Sequence, residues 1–375
     1  MLFQEVIGHQ ELKEKLAERV LENRIAHAQM ITGAPGTAMF PLALAFARFL
    51  LCTDKQGKDA CGTCPSCVKV NALQHPDLHF SYPTINPGSG KKNVADTFGE
   101  AWREMISDSP YISQEDWRHY IGAENKQLNL GTDEAENILK KLSLSSYGGG
   151  YKIMVIWLPE KMNTSAANKL LKLFEEPNPK TLFLLVCEDT ELLLSTIISR
   201  MQTIKVTPID EEELKKALMV RFHVTEDEAD QITSFADGDI NLALRLINSD
   251  AESDYFKMLV DWMRACYNYD VQKLVPLSDD FHGSGRENQK SFYEYALHFI
   301  RQCLVSNYGQ ENLAKFTPEE AKFASKFSPF INHLNVMDLV DTIEKAHRDI
   351  TRNCYGKIVM LHTSYLVHKL LRRTA

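Results

Sequence analysis

The pattern of hydrophobic and polar positions divides the chain into a first part that alternates strands with helices and a second part that is helical. Short, nearly uninterrupted apolar runs, typical of strands buried on both faces of a sheet, occur at residues 28–32, 153–157 and 182–187. Apolar residues at helical spacing occur at residues 9–23, 42–50 and 166–176. Because strands alternate with helices, we predict a parallel sheet with helices on both faces.

From residue 210 onward the sequence shows only helical spacing. We therefore predict three parts: an α/β domain, a small helical domain and an all-α domain, at residues 1–208, 209–250 and 251–375. Residues 83–131 contain proline, glycine and paired lysines, and this stretch is predicted to be a long, partly mobile insertion in the first domain.

The charge balance limits the partners that the chain as a whole can bind. Its 42 Lys and Arg residues against 50 Asp and Glu residues give a net charge of −8, which argues against a generic polyanion binder. No apolar run is long enough to span a membrane, and residues 1–5 do not resemble a signal peptide. We therefore expect a cytoplasmic protein that has no contact with a membrane.

Four of the eight cysteines are clustered in a Cys-x8-Cys-x2-Cys-x2-Cys pattern, at Cys52, Cys61, Cys64 and Cys67. Four thiolates at this spacing predict a closed, structural Zn²⁺ site with no open position for water. Iron–sulfur motifs of the ferredoxin type continue with a cysteine where this chain has Asn71. The remaining cysteines are predicted to be small buried apolar residues: Cys187, Cys266, Cys303 and Cys354.

A glycine turn follows the first strand, where a phosphate-binding loop would lie. A working loop has the pattern Gly-x4-Gly-Lys-Ser/Thr, in which the lysine reaches the phosphates and the hydroxyl holds Mg²⁺. This chain keeps Gly33 and Gly36 but has Ala38, Met39 and Phe40 at the three functional positions. Taken alone, the segment is equally well explained as an ordinary tight turn.

The strand at residues 153–157 also lacks the expected chemistry. Acidic residues that hold Mg²⁺ should follow it, but Trp157 and Leu158 stand there and Glu160 is the first acid. We therefore predict a degenerate phosphate loop, no functional ATP or Mg²⁺ site and no intrinsic ATP hydrolysis.

Several segments together resemble bacterial clamp-loader AAA+ subunits, in the same order along residues 3–245. Besides the cysteine cluster, they are FQEVIGH at 3–9, IAHA at 25–28, NKLLKLFEEP at 168–177 and LSTIISR at 194–200. The resemblance implies an AAA+ domain, a helical lid at 209–250 and a C-terminal oligomerisation collar at 251–375.

The departures from the gamma/tau motor subunits resemble the pattern of the family's delta-prime subunits. Besides the degenerate loop, Cys187 and Glu188 occupy the sensor-1 region, and Asn241 stands where the sensor-2 arginine would be. The resemblance implies that Ser199 and Arg200 form a serine–arginine motif whose arginine reaches a neighbouring subunit's ATP site. Without the resemblance, Arg200 would be interpreted as an ordinary surface ion pair.

The function implied by this resemblance is that of a non-hydrolysing clamp-loader subunit. Its partners would be the gamma/tau and delta subunits and, through the assembly, the sliding clamp and primed DNA. One alternative is a diverged but active ATPase, although residues 37–44 contain no substitute lysine. Another is a zinc-dependent nucleic-acid-binding module, which the net charge and the few basic residues near the cysteines disfavour.

Overall fold

The structure is a computed structural model that describes residues 1–88, 90, 92–123, 126–144, 146–147, 149–247, 251–308 and 316–373. The chain folds into two compact units. The first comprises Met1–His223 and Ala236–Leu242, and the second comprises Val224–Phe235 and Ala243–Ala375. No helix in the described part is long and apolar enough to cross a membrane.

The first unit contains a parallel five-stranded sheet in the order β2-β3-β4-β1-β5. Its strands are β1 Ala28–Thr32, β2 Leu78–Ser81, β3 Lys152–Trp157, β4 Thr181–Cys187 and β5 Gln202–Lys205. The parallel sheet with its surrounding helices confirms the predicted α/β domain, and the second unit is helical as expected.

The three central strands are those that the apolar runs predict. Every residue of β3 and β4 is buried, because helices cover both faces of the sheet. Side chains alternate between the faces: Ile156 packs in the core formed with α6 and α7, whereas Trp157 contacts Phe40 of α2. The edge strands were not predicted; in β5 only Ile204 is buried, so its sequence carries no apolar run.

Among the described residues, nine α-helices lie within the first unit. They are α1 Gln10–Leu21, α2 Met39–Leu51, α3 Pro65–Asn71, α4 Gly99–Asp108, α5 Gln114–Tyr120, α6 Thr132–Ser143, α7 Thr164–Glu175, α8 Ser195–Ile198 and α9 Glu211–Phe222. Helix α2 is buried along nearly its whole length, and it runs from the degenerate loop to Cys52. Two further helices, α10 Glu226–Ala236 and α11 Ile240–Ile247, each cross the boundary between the units.

The second unit is built from long helices around an aromatic core. These helices are α12 Ala251–Asn268, α13 Val271–Gly283, α14 Arg286–Asn307, α15 Pro318–Phe327, α16 Val336–Thr351 and α17 Gly356–Leu371. Trp262 is fully buried, and its indole N–H donates to Ser364 Oγ at 2.8 Å, so the polar atom of the ring is satisfied. The predicted division into three domains, with a boundary near 250, stays a prediction beside these two units.

Candidate functional site

The degenerate loop keeps the backbone course of a turn between a strand and a helix. Gly36 has φ +74° and Ala38 has φ +59°, both in the left-handed region. The Thr37 hydroxyl closes the turn by donating to the Ala34 carbonyl at 2.8 Å. The next residue, Met39, begins α2. The loop therefore has the local geometry of a turn between a strand and a helix, with Met39 at the position predicted for the lysine.

Aromatic packing occupies the region where the magnesium ligands would lie. Phe40 is buried, and its ring centroid lies 5.5 Å from that of Trp102 and 6.4 Å from that of Trp157. Trp102 and Trp157 are themselves 5.4 Å apart. Rings at these separations and inclinations attract one another beyond the burial of their area. The substitutions in the loop and at the end of β3 therefore contact each other through a third ring.

That third ring belongs to the stretch predicted to be a partly mobile insertion. Residues 83–131 instead contain α4 and α5, which carry the buried residues Trp102 and Trp117. Trp102 stacks on Tyr82 with a centroid distance of 3.9 Å, and the indole N–H of Trp117 donates to the Pro83 carbonyl at 2.6 Å. Helices α4 and α5 thus pack into the domain core, while the predicted insertion stays a prediction. Its helices are short and lie between prolines and glycines, so their pattern was not recognised.

The chain segment before α11 covers the loop from the other side. A β-carbon added to Gly36 would lie 1.7 Å from Asp239 Oδ1, so the carboxylate rests directly on the loop. The Ile240 N–H donates to the Gly36 carbonyl at 3.0 Å, and the Leu242 N–H donates to Asp239 Oδ1 at 3.0 Å. A carboxylate at this position opposes phosphate both by occupying space and by its charge.

The cavity that remains beside the loop has a volume of about 20 Å³. Its lining includes Met39, Phe40, Trp157, Glu188 and Asn241. This volume accommodates about one water molecule. The side chains of Met39, Phe40 and Trp157 therefore fill the space beside the loop in which phosphates and Mg²⁺ would have to lie.

Two carboxyl groups lie close together at the ends of β3 and β4. The Glu188 N–H donates to Glu160 Oε1 at 3.1 Å, and Glu160 Oε2 has no hydrogen-bond partner among the described residues. Burial raises the pKa of Glu160 above its ordinary value. Burial, followed by the nearby charge of Glu160, raises the pKa of Glu188 to about 8. Carboxyl groups that resist ionisation are poor ligands for Mg²⁺.

The four clustered cysteines converge as their spacing predicts. Their Sγ atoms all lie within 4.8 Å of one another. The Sγ of Cys61 is 3.6 Å from that of Cys52 and 3.9 Å from that of Cys67, and the Cys52 and Cys64 sulfurs are 4.0 Å apart. A tetrahedral zinc ion with bonds of about 2.3 Å requires sulfur–sulfur distances of about 3.8 Å. The residues therefore fit a metal ion.

Backbone N–H groups point at the sulfurs of this cluster. The amides of Cys61, Cys64 and Cys67 donate to the sulfur of the preceding cysteine at 3.3–3.4 Å. Gly62 has φ +78°, a conformation that favours glycine in the turn between Cys61 and Cys64. Burial opposes ionisation of Cys64, but hydrogen bonds from Thr53 and Cys67 lower its pKa to about 5. Burial raises the pKa of the Cys67 thiol to about 12.

The scattered cysteines follow their prediction in three cases. Cys187, Cys266 and Cys303 are buried. For Cys354 the prediction is wrong, because this residue is exposed in the turn between α16 and α17. Apolar residue types are often exposed in such turns, and the sequence gives no sign of it.

Arg200 lies just beyond α8, where it is paired within its own chain. Its side chain is 32% exposed and forms an ion pair with Glu175, whose Oε1 accepts from Arg200 Nε at 2.6 Å. Nη1 of Arg200 donates to the Thr196 carbonyl at 2.7 Å and to Ser199 Oγ at 3.2 Å. The two residues of the predicted serine–arginine motif are thus in contact, and Glu175 is the acid that holds them.

Comparison with known sequences identifies the family of this chain. A family model described as "DNA polymerase III, delta subunit" matches residues 8–210, which is more than half of the chain. The chain belongs to this family. Its similarity to the DNA polymerase III subunit delta′ of Escherichia coli (strain K12) is 27% identity over 237 residues, covering 63% of this chain and 59% of the relative.

A second bacterial DNA polymerase III subunit delta′ is also similar in sequence. The DNA polymerase III subunit delta′ of Bacillus subtilis (strain 168) is 26% identical over 204 residues, covering 54% of this chain and 49% of that protein. The chain thus spans about half to three fifths of the length of these two relatives. A gamma-subunit-related protein of Thermotoga maritima is similar in structure at 14% identity and a TM-score of 0.44, covering 96% of this chain and 99% of that one.

Three residues of this family member complete the site in ways that sequence reasoning missed. Trp102 fills the space behind Phe40, Asp239 covers Gly36, and Glu175 pairs with Arg200. Glu175 was visible in the Glu-Glu-Pro segment, but an ion pair between residues 25 positions apart leaves no local signal. A lone tryptophan in a loop-like stretch and an aspartate before a helix are equally ordinary.

Proposed function

We propose that this chain is a non-hydrolysing subunit of a bacterial replicative clamp loader, which helps to place the sliding clamp on primed DNA. Its membership of the DNA polymerase III family supports a role in DNA replication. The observation that carries the non-hydrolysing role is the cavity of about 20 Å³ beside the degenerate loop, lined by Met39, Phe40 and Trp157. A subunit of this kind contributes to the ring through its shape and its contacts with the gamma/tau and delta subunits.

A test of this role restores the residues of a working phosphate-binding loop. The variant Ala38→Gly, Met39→Lys, Phe40→Thr regains the Gly-Lys-Thr pattern of a working loop. We expect neither the wild type nor this variant to bind or hydrolyse ATP, because Asp239 still covers Gly36, and Trp157 and Leu158 still occupy the positions of the acidic residues. Nucleotide binding is measured by calorimetry and hydrolysis by phosphate release. Wild-type turnover near 1 s⁻¹, an ordinary enzymatic rate, would favour the diverged ATPase instead.

We further propose that Arg200 acts in trans on a neighbouring gamma/tau subunit. A guanidinium is permanently charged and matches the charge that develops on a transferring phosphoryl group, an effect of about 10³–10⁵ in turnover where it has been measured. In the isolated chain Arg200 pairs with Glu175. Partly exposed ion pairs contribute only about 0–1 kcal/mol. The pair with Glu175 would therefore orient the Arg200 side chain without preventing it from moving to a phosphate of the neighbouring subunit's nucleotide.

The test is a clamp loader reconstituted with Arg200→Ala protein. Assembly and ATP binding by the partner should be retained, while ATP hydrolysis stimulated by clamp and primed DNA should fall. Arg200→Lys should rescue poorly because an ammonium lacks the planar fork. The matched control is Arg24→Ala, since Arg24 is another exposed arginine in an ion pair, with Glu22 at 3.3 Å. Equal hydrolysis and loading with Arg200→Ala would leave Arg200 a surface residue.

We propose that Cys52, Cys61, Cys64 and Cys67 hold one Zn²⁺ ion. The sulfur separations and the N–H groups directed at them support this ligand set. Four thiolates leave no open coordination position, so the ion would stabilise the module rather than activate water. Elemental analysis of the purified protein should give one zinc per chain. Iron with visible absorbance would instead favour a cluster.

The helical parts are proposed to form a lid at 209–250 and an oligomerisation collar at 251–375. The apolar core of the second unit supports an independently packed helical domain. Limited proteolysis of the full-length protein should cut near residues 208 and 250. Tagged protein should also copurify with the gamma/tau and delta subunits. A protein that copurifies with none of them would contradict the clamp-loader assignment.

A further inference from the structure

One buried cation lies beside the cysteine cluster. Arg48 is on α2, and its carbonyl accepts from the Cys52 N–H at 2.9 Å, so it lies one helical turn before the first cysteine. Only 5% of Arg48 is exposed. A guanidinium stays charged at every physiological pH, and burying a charge is unfavourable unless an opposite charge or a full set of acceptors compensates it.

The hydrogen-bond partners of Arg48 are neutral and incomplete. Its Nη2 donates to the Gly62 carbonyl at 3.1 Å, and its Nη1 donates to Asn71 Oδ1 at 3.4 Å. Its buried Nε has no partner among the described residues. No ion pair joins Arg48 to a carboxylate in the described part of the chain. The positive charge is therefore buried without an acidic partner.

The partners of Arg48 nevertheless place it in the cysteine cluster. Gly62 is the turn residue between Cys61 and Cys64, and Asn71 ends α3, the helix on which Cys67 lies. The guanidinium thus contacts the segments that carry three of the four cysteines.

The net charge of the proposed metal centre indicates a role for the buried guanidinium of Arg48. Four thiolates around a divalent ion carry a net charge of −2, which is also unfavourable in a buried site. We propose that Arg48 is the buried counter-ion of the four-cysteine metal centre, where it orients the Cys61–Cys67 turn and offsets part of the negative charge. This proposal rests on the proposed metal site. Arg48 is a positioning residue, because it ligates nothing itself.

Three substitutions separate charge from shape. Arg48→Met keeps an unbranched apolar side chain without the charge, whereas Arg48→Lys keeps the charge without the fork. Asn71→Ala removes a neutral acceptor and leaves the charge. Leu44→Ala is the control for general destabilisation, because Leu44 is a buried residue on the same helix, about one turn from Arg48 and two turns from Cys52.

The experiment measures zinc affinity of each full-length protein by competition with a chromophoric chelator. Loss of a residue that supports metal ligands lowers affinity by about 10–100-fold. We expect that loss for Arg48→Met, and a change of only a few-fold for Arg48→Lys, Asn71→Ala and Leu44→Ala. The absorption of Co²⁺-substituted protein should shift in Arg48→Met, because the geometry of the thiolates changes.

The outcomes distinguish this proposal from the metal site itself. Wild-type zinc affinity in Arg48→Met, or an equal loss in Leu44→Ala, would overturn the role of Arg48 while leaving the metal site in place. A wild-type protein that binds no zinc would refute the site and, with it, the counter-ion. If Arg48→Met does not fold, Arg48→Lys and Arg48→Gln decide: equal losses in both would show that charge is not what matters.

Discussion

The two ends of helix α2 carry two sites that have diverged in opposite ways. At its N-terminal end, Met39 and Phe40 stand where a lysine and a hydroxyl would bind phosphate and Mg²⁺. At its C-terminal end, Cys52 and its three partners keep sulfurs within 4.8 Å of one another. One end of the helix thus has apolar side chains at the predicted phosphate and Mg²⁺ positions, whereas the other end brings together four groups that fit a metal ion.

The difference follows from what holds each site together. In the cysteine cluster, the contacts among the sulfurs and amides bring the four sulfurs together, and the proposed metal ion would hold them there. The loop is ordered by packing and hydrogen bonds from Thr37, Trp102 and Asp239, which need no nucleotide. Loss of the metal ion should therefore disrupt the cysteine cluster, whereas the loop should stay ordered without a nucleotide.

The largest expected effect is that of Cys64→Ser. This change removes one thiolate of a closed shell, and the binding free energy of structural zinc is on the order of 10–16 kcal/mol. We expect loss of bound zinc and rapid hydrogen exchange of amides in residues 52–71. The control is Cys354→Ser, because Cys354 is exposed and outside the cluster. Retention of zinc in Cys64→Ser would show that Cys64 is not a required ligand, and loss of zinc with slow exchange retained would show that the module folds without metal.

Trp102→Ala tests the opposite end of α2. Trp102 is almost fully buried between Phe40, Tyr82 and Trp157, and removing so large a side chain costs about 3–5 kcal/mol. Urea unfolding followed by circular dichroism measures the loss, and zinc content should not change. Trp102→Phe should lose less. A loss below about 1 kcal/mol would contradict the packing account.

Gly36→Ala and Gly57→Ala form a matched pair. Both glycines have positive φ, +74° and +60°, so both substitutions introduce strain of about 1–2 kcal/mol. A β-carbon on Gly57 meets no atom within 4 Å, whereas one on Gly36 would collide with Asp239. We therefore expect a larger loss of unfolding free energy for Gly36→Ala. Equal losses would mean that Asp239 moves aside freely and does not cover the loop.

The smallest expected effect concerns Glu188, whose pKa burial and Glu160 raise to about 8. An unfolded glutamate has a pKa near 4.3. Between about pH 4 and pH 8 the folded chain therefore holds a proton that the unfolded chain releases, so the free energy of unfolding falls as the pH rises. Glu188→Gln should reduce this slope and raise the melting temperature at pH 8 by about 2–4 °C. The exposed Glu191→Gln is the control.

The sequence predicts those elements whose signal is local. Continuous apolar runs identify β3 and β4, and fixed spacing identifies the cysteine cluster, because each pattern arises within a few residues. The degenerate loop was equally readable, since Ala38, Met39 and Phe40 occupy positions with defined chemistry. These are the parts of the site that a motif can describe.

What the sequence leaves undetermined depends on contacts between distant segments. Trp102 meets Phe40 across 62 residues of chain, as Asp239 meets Gly36 across more than 200, and neither partner is marked by its own neighbours. The edge strand β5 was missed because a strand with one buried residue has no apolar run. Helices α4 and α5 were missed because they are short and framed by turn-forming residues.

The aromatic packing around Phe40 also has an evolutionary consequence, because it makes a substitution of Phe40 by a residue with a hydroxyl group unfavourable. A step back toward a hydroxyl at Phe40 would leave a cavity against Trp102 and Trp157, at about 3–5 kcal/mol. A lysine at the buried position of Met39 would add an unpaired charge. Proteins are stable by only about 5–15 kcal/mol, so these single reversions would be selected against before any activity returned. Under the function proposed above, a subunit with this core would depend on its neighbours for hydrolysis.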